Sequence, residues 1–214
     1  MAAVDDSGLR RAFFLLTQVA LAARAPDWEE RLKGVGIALS PSDSILELTA
    51  AVQSSMDDWI EARGRHTDIS DMAQQAACEA LTSLASEEAR TLFGAGRDEL
   101  LTALHSLSTK AGFSRLSQRF FGGFLSRYLG FYLSRVTATG VGTAALPQLG
   151  DMARFEQTLR SHCNQTAWIV NEFSGAWFSK TEWERGINEG NTAGFVAVAL
   201  HKLSAELQTQ EGAR

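Results

Sequence analysis

The chain has 214 residues, a formal net charge of −5, 45% hydrophobic residues and 21% charged residues. That length supports a core able to fold unaided, the composition excludes a disordered polyelectrolyte, and the negative balance argues against a generic polyanion binder, which carries a positive excess. Two cysteines, Cys78 and Cys163, are too few for a disulfide framework and lack metal-type spacing, so a reducing cytoplasm is the expected setting.

Alternating Val/Ile/Thr runs are almost absent and only three prolines interrupt the chain, which predicts an all-α protein. The expected architecture is a bundle of about seven or eight helices in a single domain over residues 1–214. The alternative is a subdivision into an N-terminal bundle, 1–137, and a C-terminal part, 148–214. Helix one is predicted from Leu9 to Arg24, with Leu9, Phe13, Leu16 and Ala20 on one face. Arg10-Arg11, the apolar run after them and Ala23-Arg24-Ala25 also imitate a twin-arginine export signal. Asp5, Asp6, Thr17 and Gln18 favour an ordinary amphipathic helix instead.

A short helix with Trp28 and Leu32 follows Pro26. Ser40-Pro41-Ser42-Asp43 then predicts a capped start for a helix burying Ile45, Leu48, Val52, Met56 and Trp59. Asp68 opens an alanine-rich helix through Ile69, Met72, Ala76, Ala80 and Leu84. Gly94 and Gly96 separate it from a helix using Leu100, Leu104 and Leu107.

Gly112 leads into RFFGGFLSRYLGFYLSR, residues 119–135. Arg119, Arg127 and Arg135 recur every eight positions, which excludes a membrane span. About 100° per residue gathers Phe120, Phe121, Phe124, Leu125, Tyr128, Leu129, Phe131 and Tyr132 on one arc. Gly122, Ser126, Gly130 and Ser134 fall opposite, as a close-packing face for another helix. This segment is therefore expected to be a buried central aromatic and glycine-rich helix, or an oligomer seam. No acidic residue occurs from Ala111 to Gly150, where four arginines carry +4; a total of −5 leaves −9 for the rest. Asp57, Asp58, Glu61, Asp68, Asp71 or Glu156 are the expected partners of those arginines. The competing reading makes Arg115 and Arg119 a contact for a nucleic-acid backbone.

Residues 137–148, TATGVGTAALPQ, read as a linker. From Leu149 one long helix is predicted through Met152, Phe155, Leu159, Cys163, Thr166, Val170 and Trp177. Ser179-Lys180-Thr181-Glu182 then predicts a second capping box, before a last helix from about Asn191. The window 168–191 holds three of five tryptophans, and Glu172, Trp177, Lys180, Trp183 and Arg185 are candidate partner or ligand contacts.

No catalytic constellation emerges. His162 and Cys163 are adjacent and point about 100° apart on a helix, and His66, Asp68 and Asp71 are only a faint metal pattern. No metal, cofactor or catalytic residue is assigned. The expectation is a non-enzymatic scaffold or adaptor subunit of a homo-oligomer or larger complex. The alternatives are a nucleic-acid accessory protein using segment 111–150, and a small-ligand or enzymatic site at the Trp-rich corner.

Overall fold

The computed structural model describes residues 2–40, 44–64, 66–88, 96–140 and 149–212; within these, the side chains of residues 2, 85–88, 134–140, 149–151 and 210–212 lie outside the description. After a 3-10 turn at Ala2–Asp5 come α1 (Ser7–Ala22), α2 (Trp28–Gly34), α3 (Ile45–Arg63), α4 (Asp68–Glu88), α5 (Arg97–Leu107), α6 (Lys110–Gly140), α7 (Leu149–Thr166), α8 (Trp168–Arg185) and α9 (Glu189–Gly212). The protein is an all-α multi-helix bundle, with no strand among the described residues. One hydrophobic cluster extends from Ala3 to Leu203.

The helix surrounded on every side is α1. Its first turn is capped by the Asp6 carboxylate, which accepts from the Leu9 N–H at 2.9 Å. Every residue from Ala12 to Thr17 is buried, so no face is left for water, and α2, α3, α4, α5, α6 and α9 all pack around it. Phe13 is the hub: its ring centroid lies 5.1 to 6.0 Å from those of Phe113, Phe120, Phe121 and Phe195. The centre expected at α6 is thus shared, with α1 taking the innermost place.

Helix α6 packs on α4, α7 and α8. Its aromatic arc is buried at Phe113, Leu116, Phe120, Phe121, Phe124 and Leu125, whereas Phe131 and Tyr132 are 39% and 53% exposed. Arg127 meets Glu79 and Arg119 meets Ser83, so α4 runs antiparallel to α6; beyond Arg127, Phe131 lines a cleft with Met72 of α4 and Met152 and Phe155 of α7.

Two predicted helix starts are corrected. Helix α3 is opened by Ser44: its hydroxyl accepts from the Leu46 N–H at 3.2 Å, and the Glu47 carboxylate accepts from the Ser44 N–H at 2.9 Å. This is a Ser-x-x-Glu box four residues downstream of the expected one; Pro41, Ser42 and Asp43 lie outside the described residues. Ser179, Lys180, Thr181 and Glu182 lie inside α8, because the preceding turns already supply their N–H groups with carbonyl partners. The real boundary comes at Gly186, φ 68°, followed by Asn188 and Asn191, whose side chains accept each other's backbone N–H at 3.0 Å and open α9.

The long helix expected from Leu149 is two helices, broken at Ala167. Both lie antiparallel along α6. Asn171 pairs with Gln118 and Asn164 faces Gly122, so seven residues on the α7–α8 side match four on α6. The turn at Ala167, where the Val170 N–H reaches back to the Ala167 carbonyl at 3.0 Å, takes up the excess. Most of the predicted linker lies outside the described residues; positions 137–140 continue α6.

Candidate functional site

The slack at Ala167 opens a cleft of about 620 Å³ between α6 and the α7–α8 turn. One wall comes from α6 and carries Lys110, Ser114, Arg115, Gln118 and Arg119; the other carries Asn164, Trp168, Asn171 and Gly175. Three side chains are cationic and none of these lining residues is acidic. Hydrogen bonds tie the walls together. Asn171 Nδ2 donates to Gln118 Oε1 at 3.0 Å, Gln118 Nε2 to the Asn164 carbonyl at 3.4 Å, and the Gly175 N–H to Ser114 Oγ at 3.1 Å. A Cβ at Gly175 would lie 2.5 Å from the Lys110 carbonyl oxygen, so only glycine lets α8 approach this closely.

Both predicted nucleic-acid contacts, Arg115 and Arg119, therefore share one concavity. Arg119 Nη1 also donates to Ser83 Oγ at 3.0 Å. Trp168 forms part of the opposite wall and is 56% exposed. Its window was legible as unusual in sequence, but nothing in spacing singled out this tryptophan, because the turn that presents it has no local signature.

The small-residue face behaves differently along its length. A Cβ on Gly122 would come within 2.4 Å of the Asn164 side chain, whereas one on Gly130 would meet nothing within 4 Å. Close packing is thus confined to the Gly122 end, and the expected crowding at Gly130 is corrected. There α6 and α7 diverge into a second cleft of about 650 Å³, lined by Ser126, Gly130, Phe131, Met152 and Phe155 among others. The side chain of Ser134 lies outside the described residues. The predicted partners of the arginines are corrected for Arg127, which meets Glu79 at 2.7 Å; Arg160 also reaches Glu79, at 3.4 Å. One carboxylate thereby links α4, α6 and α7.

At the Trp-rich corner, the five candidates do not converge. Trp177 turns inward, 4.3 Å from Phe195 and 6.2 Å from Phe113 between ring centroids. Glu172, Lys180, Trp183 and Arg185 are exposed, Lys180 facing Glu184 at 3.9 Å, and Trp183 is 92% exposed. His66 forms a 2.9 Å contact with Asp71, and no group of three metal-ligating side chains occurs among the described residues. Burial pushes the thiols of Cys78 and Cys163 up to about 11, which keeps both protonated and poorly nucleophilic at neutral pH.

No helix among the described residues is long and apolar enough to cross a membrane. The class these features define is an all-α bundle with a cation-walled, amide-pinned cleft and one solvent-facing tryptophan corner. Comparison with protein-family models, curated proteins and solved structures finds no match to this chain.

Proposed function

We propose that the protein is a non-enzymatic helical interaction subunit that assembles with itself or within a larger complex. The observation carrying this reading is Trp183, an indole left 92% exposed at the end of α8. A bundle that buries Phe13, Phe113 and Phe178 completely has the apolar material to cover it, yet leaves it in water. Tryptophan is enriched among residues that dominate binding when a partner desolvates them. Lys180, Glu184 and Arg185 surround it in sequence, as a polar rim surrounds an apolar anchor. Trp183→Glu should disrupt assembly while leaving the fold intact, measured by sedimentation velocity and circular dichroism. Unchanged assembly in that variant would count against the reading.

A second reading, a nucleic-acid accessory protein, is favoured by one observation. Arg115, Arg119 and Lys110 line a single cleft whose described lining has no carboxylate, which offsets locally the repulsion expected from a net charge of −5.

A further inference from the structure

The geometry points to the α6/α8 cleft as a nucleotide-binding site, in which Trp168 stacks a base while Lys110, Arg115 and Arg119 hold its phosphates. This rests on the second reading above and goes beyond it by naming the ligand unit and the stacking residue. Three properties of the cleft carry it together. Its volume of about 620 Å³ falls within the range of small-ligand sites, roughly 300 to 1,000 Å³. Its two walls differ in chemistry: the cations stand on α6, and the indole stands across from them on α8, as a base joined to a phosphate requires.

The third property is polar chemistry between the walls. Gln118, Asn164 and Asn171 present amides there, Gln118 and Asn171 already fixed by their mutual hydrogen bond. Such groups can reach base edges without supplying repulsive charge. Trp168 is 56% exposed, an expensive place for an indole unless a flat apolar face covers it. Every base offers such a face, and stacking on an aromatic side chain is worth roughly 1 to 3 kcal/mol per base. Arg115 and Arg119 both already have partners, Arg119 among them through Nη1 to Ser83 Oγ, and the role does not need them vacant, since a guanidinium with five donors serves several acceptors at once.

The nucleotide can belong to a single strand or be free. The test titrates the full chain with fluorescein-labelled dT20, with ATP and with inorganic tripolyphosphate, following anisotropy and Trp fluorescence. The expected result is dT20 binding whose log K falls against log salt with a slope of about −2, the value for three contacts on a single strand. Trp168→Ala should weaken it about tenfold, and Lys110→Gln, Arg115→Gln and Arg119→Gln together should flatten the slope. Because Trp168 is exposed, its variant should keep the wild-type circular dichroism spectrum and melting temperature.

If ATP binds with the same Trp168 dependence and dT20 does not bind, the site stands as one for free nucleotides and the nucleic-acid reading falls. If dT20 binds but these substitutions leave it unchanged, the strand lies elsewhere and the inference is overturned while that reading survives. Tripolyphosphate binding as tightly as ATP, with no effect of Trp168→Ala, would overturn it in favour of a bare anion site. Failure of all three probes to bind overturns both.

Discussion

Gly175 and Gly130 both lie in helices that line clefts, yet alanine should have opposite effects at the two positions. At Gly175 the new Cβ would stand 2.5 Å from the Lys110 carbonyl oxygen, 2.6 Å from Ser114 Oγ and 3.1 Å from the Lys110 carbonyl carbon. Ordinary contact begins near 3.4 Å, and two of the three atoms are backbone, so α8 must move away from α6 by the better part of an ångström. That also lengthens the Gly175 N–H to Ser114 Oγ bond, now 3.1 Å. Overpacking of this kind costs about 1 to 3 kcal/mol, while replacing glycine in a helix returns about 1 kcal/mol. The net loss is up to about 2 kcal/mol, a fall of roughly 4 to 8 °C in melting temperature for a chain of this size. At Gly130 nothing lies within 4 Å, so only the propensity term acts and alanine should raise the melting temperature by about 2 to 4 °C. Differential scanning calorimetry of the two variants beside wild type measures the contrast. Equal stabilisation by both would refute the close approach of α6 and α8, and with it the geometry of the cleft.

Ser44→Ala removes the hydroxyl that caps α3 and should cost about 1 kcal/mol in urea unfolding; an unchanged midpoint would show that Ser44 does not cap the helix. Cys163, buried with its thiol raised to about 11, should resist a thiol-specific reagent at pH 8 until the chain unfolds. Its raised pKa contributes stability that is complete below the unfolded value of 9.0 and lost as pH rises toward about 11. Cys163→Ala should therefore lose less stability than wild type between those limits, and parallel pH profiles would show that the thiol titrates alike in both states.

Much of the bundle was legible because helix-period burial is local. Leu48, Val52 and Met56, or Ala76, Ala80 and Leu84, declare their faces within a few turns and are buried as the spacing requires. The break at Ala167 was not legible, since Cys163, Ala167, Val170, Ser174 and Phe178 keep a three-four rhythm straight through it and all are buried. Only the pairing of Gln118 with Asn171 and of Gly122 with Asn164 reveals the slack. The stripe of small residues on α6 showed where a helix is able to approach, and not that α7 diverges before Gly130. Glu79 had no local signal either, because its partners Arg127 and Arg160 arrive from helices far along the chain. The cleft combines both difficulties: its arginines could be read from an acid-free run, whereas Trp168 acquires its position only through the turn.

The central claim, that the chain acts by assembling through the Trp183 corner, is tested most directly by its mass in solution. Sedimentation velocity over a wide concentration range, alone and mixed with the proteins encoded beside its gene, should reveal a defined larger species. Trp183→Glu should return that species to the 23.3 kDa monomer without changing the melting temperature. A monomer under every condition, or an assembly that Trp183→Glu leaves intact, would contradict it.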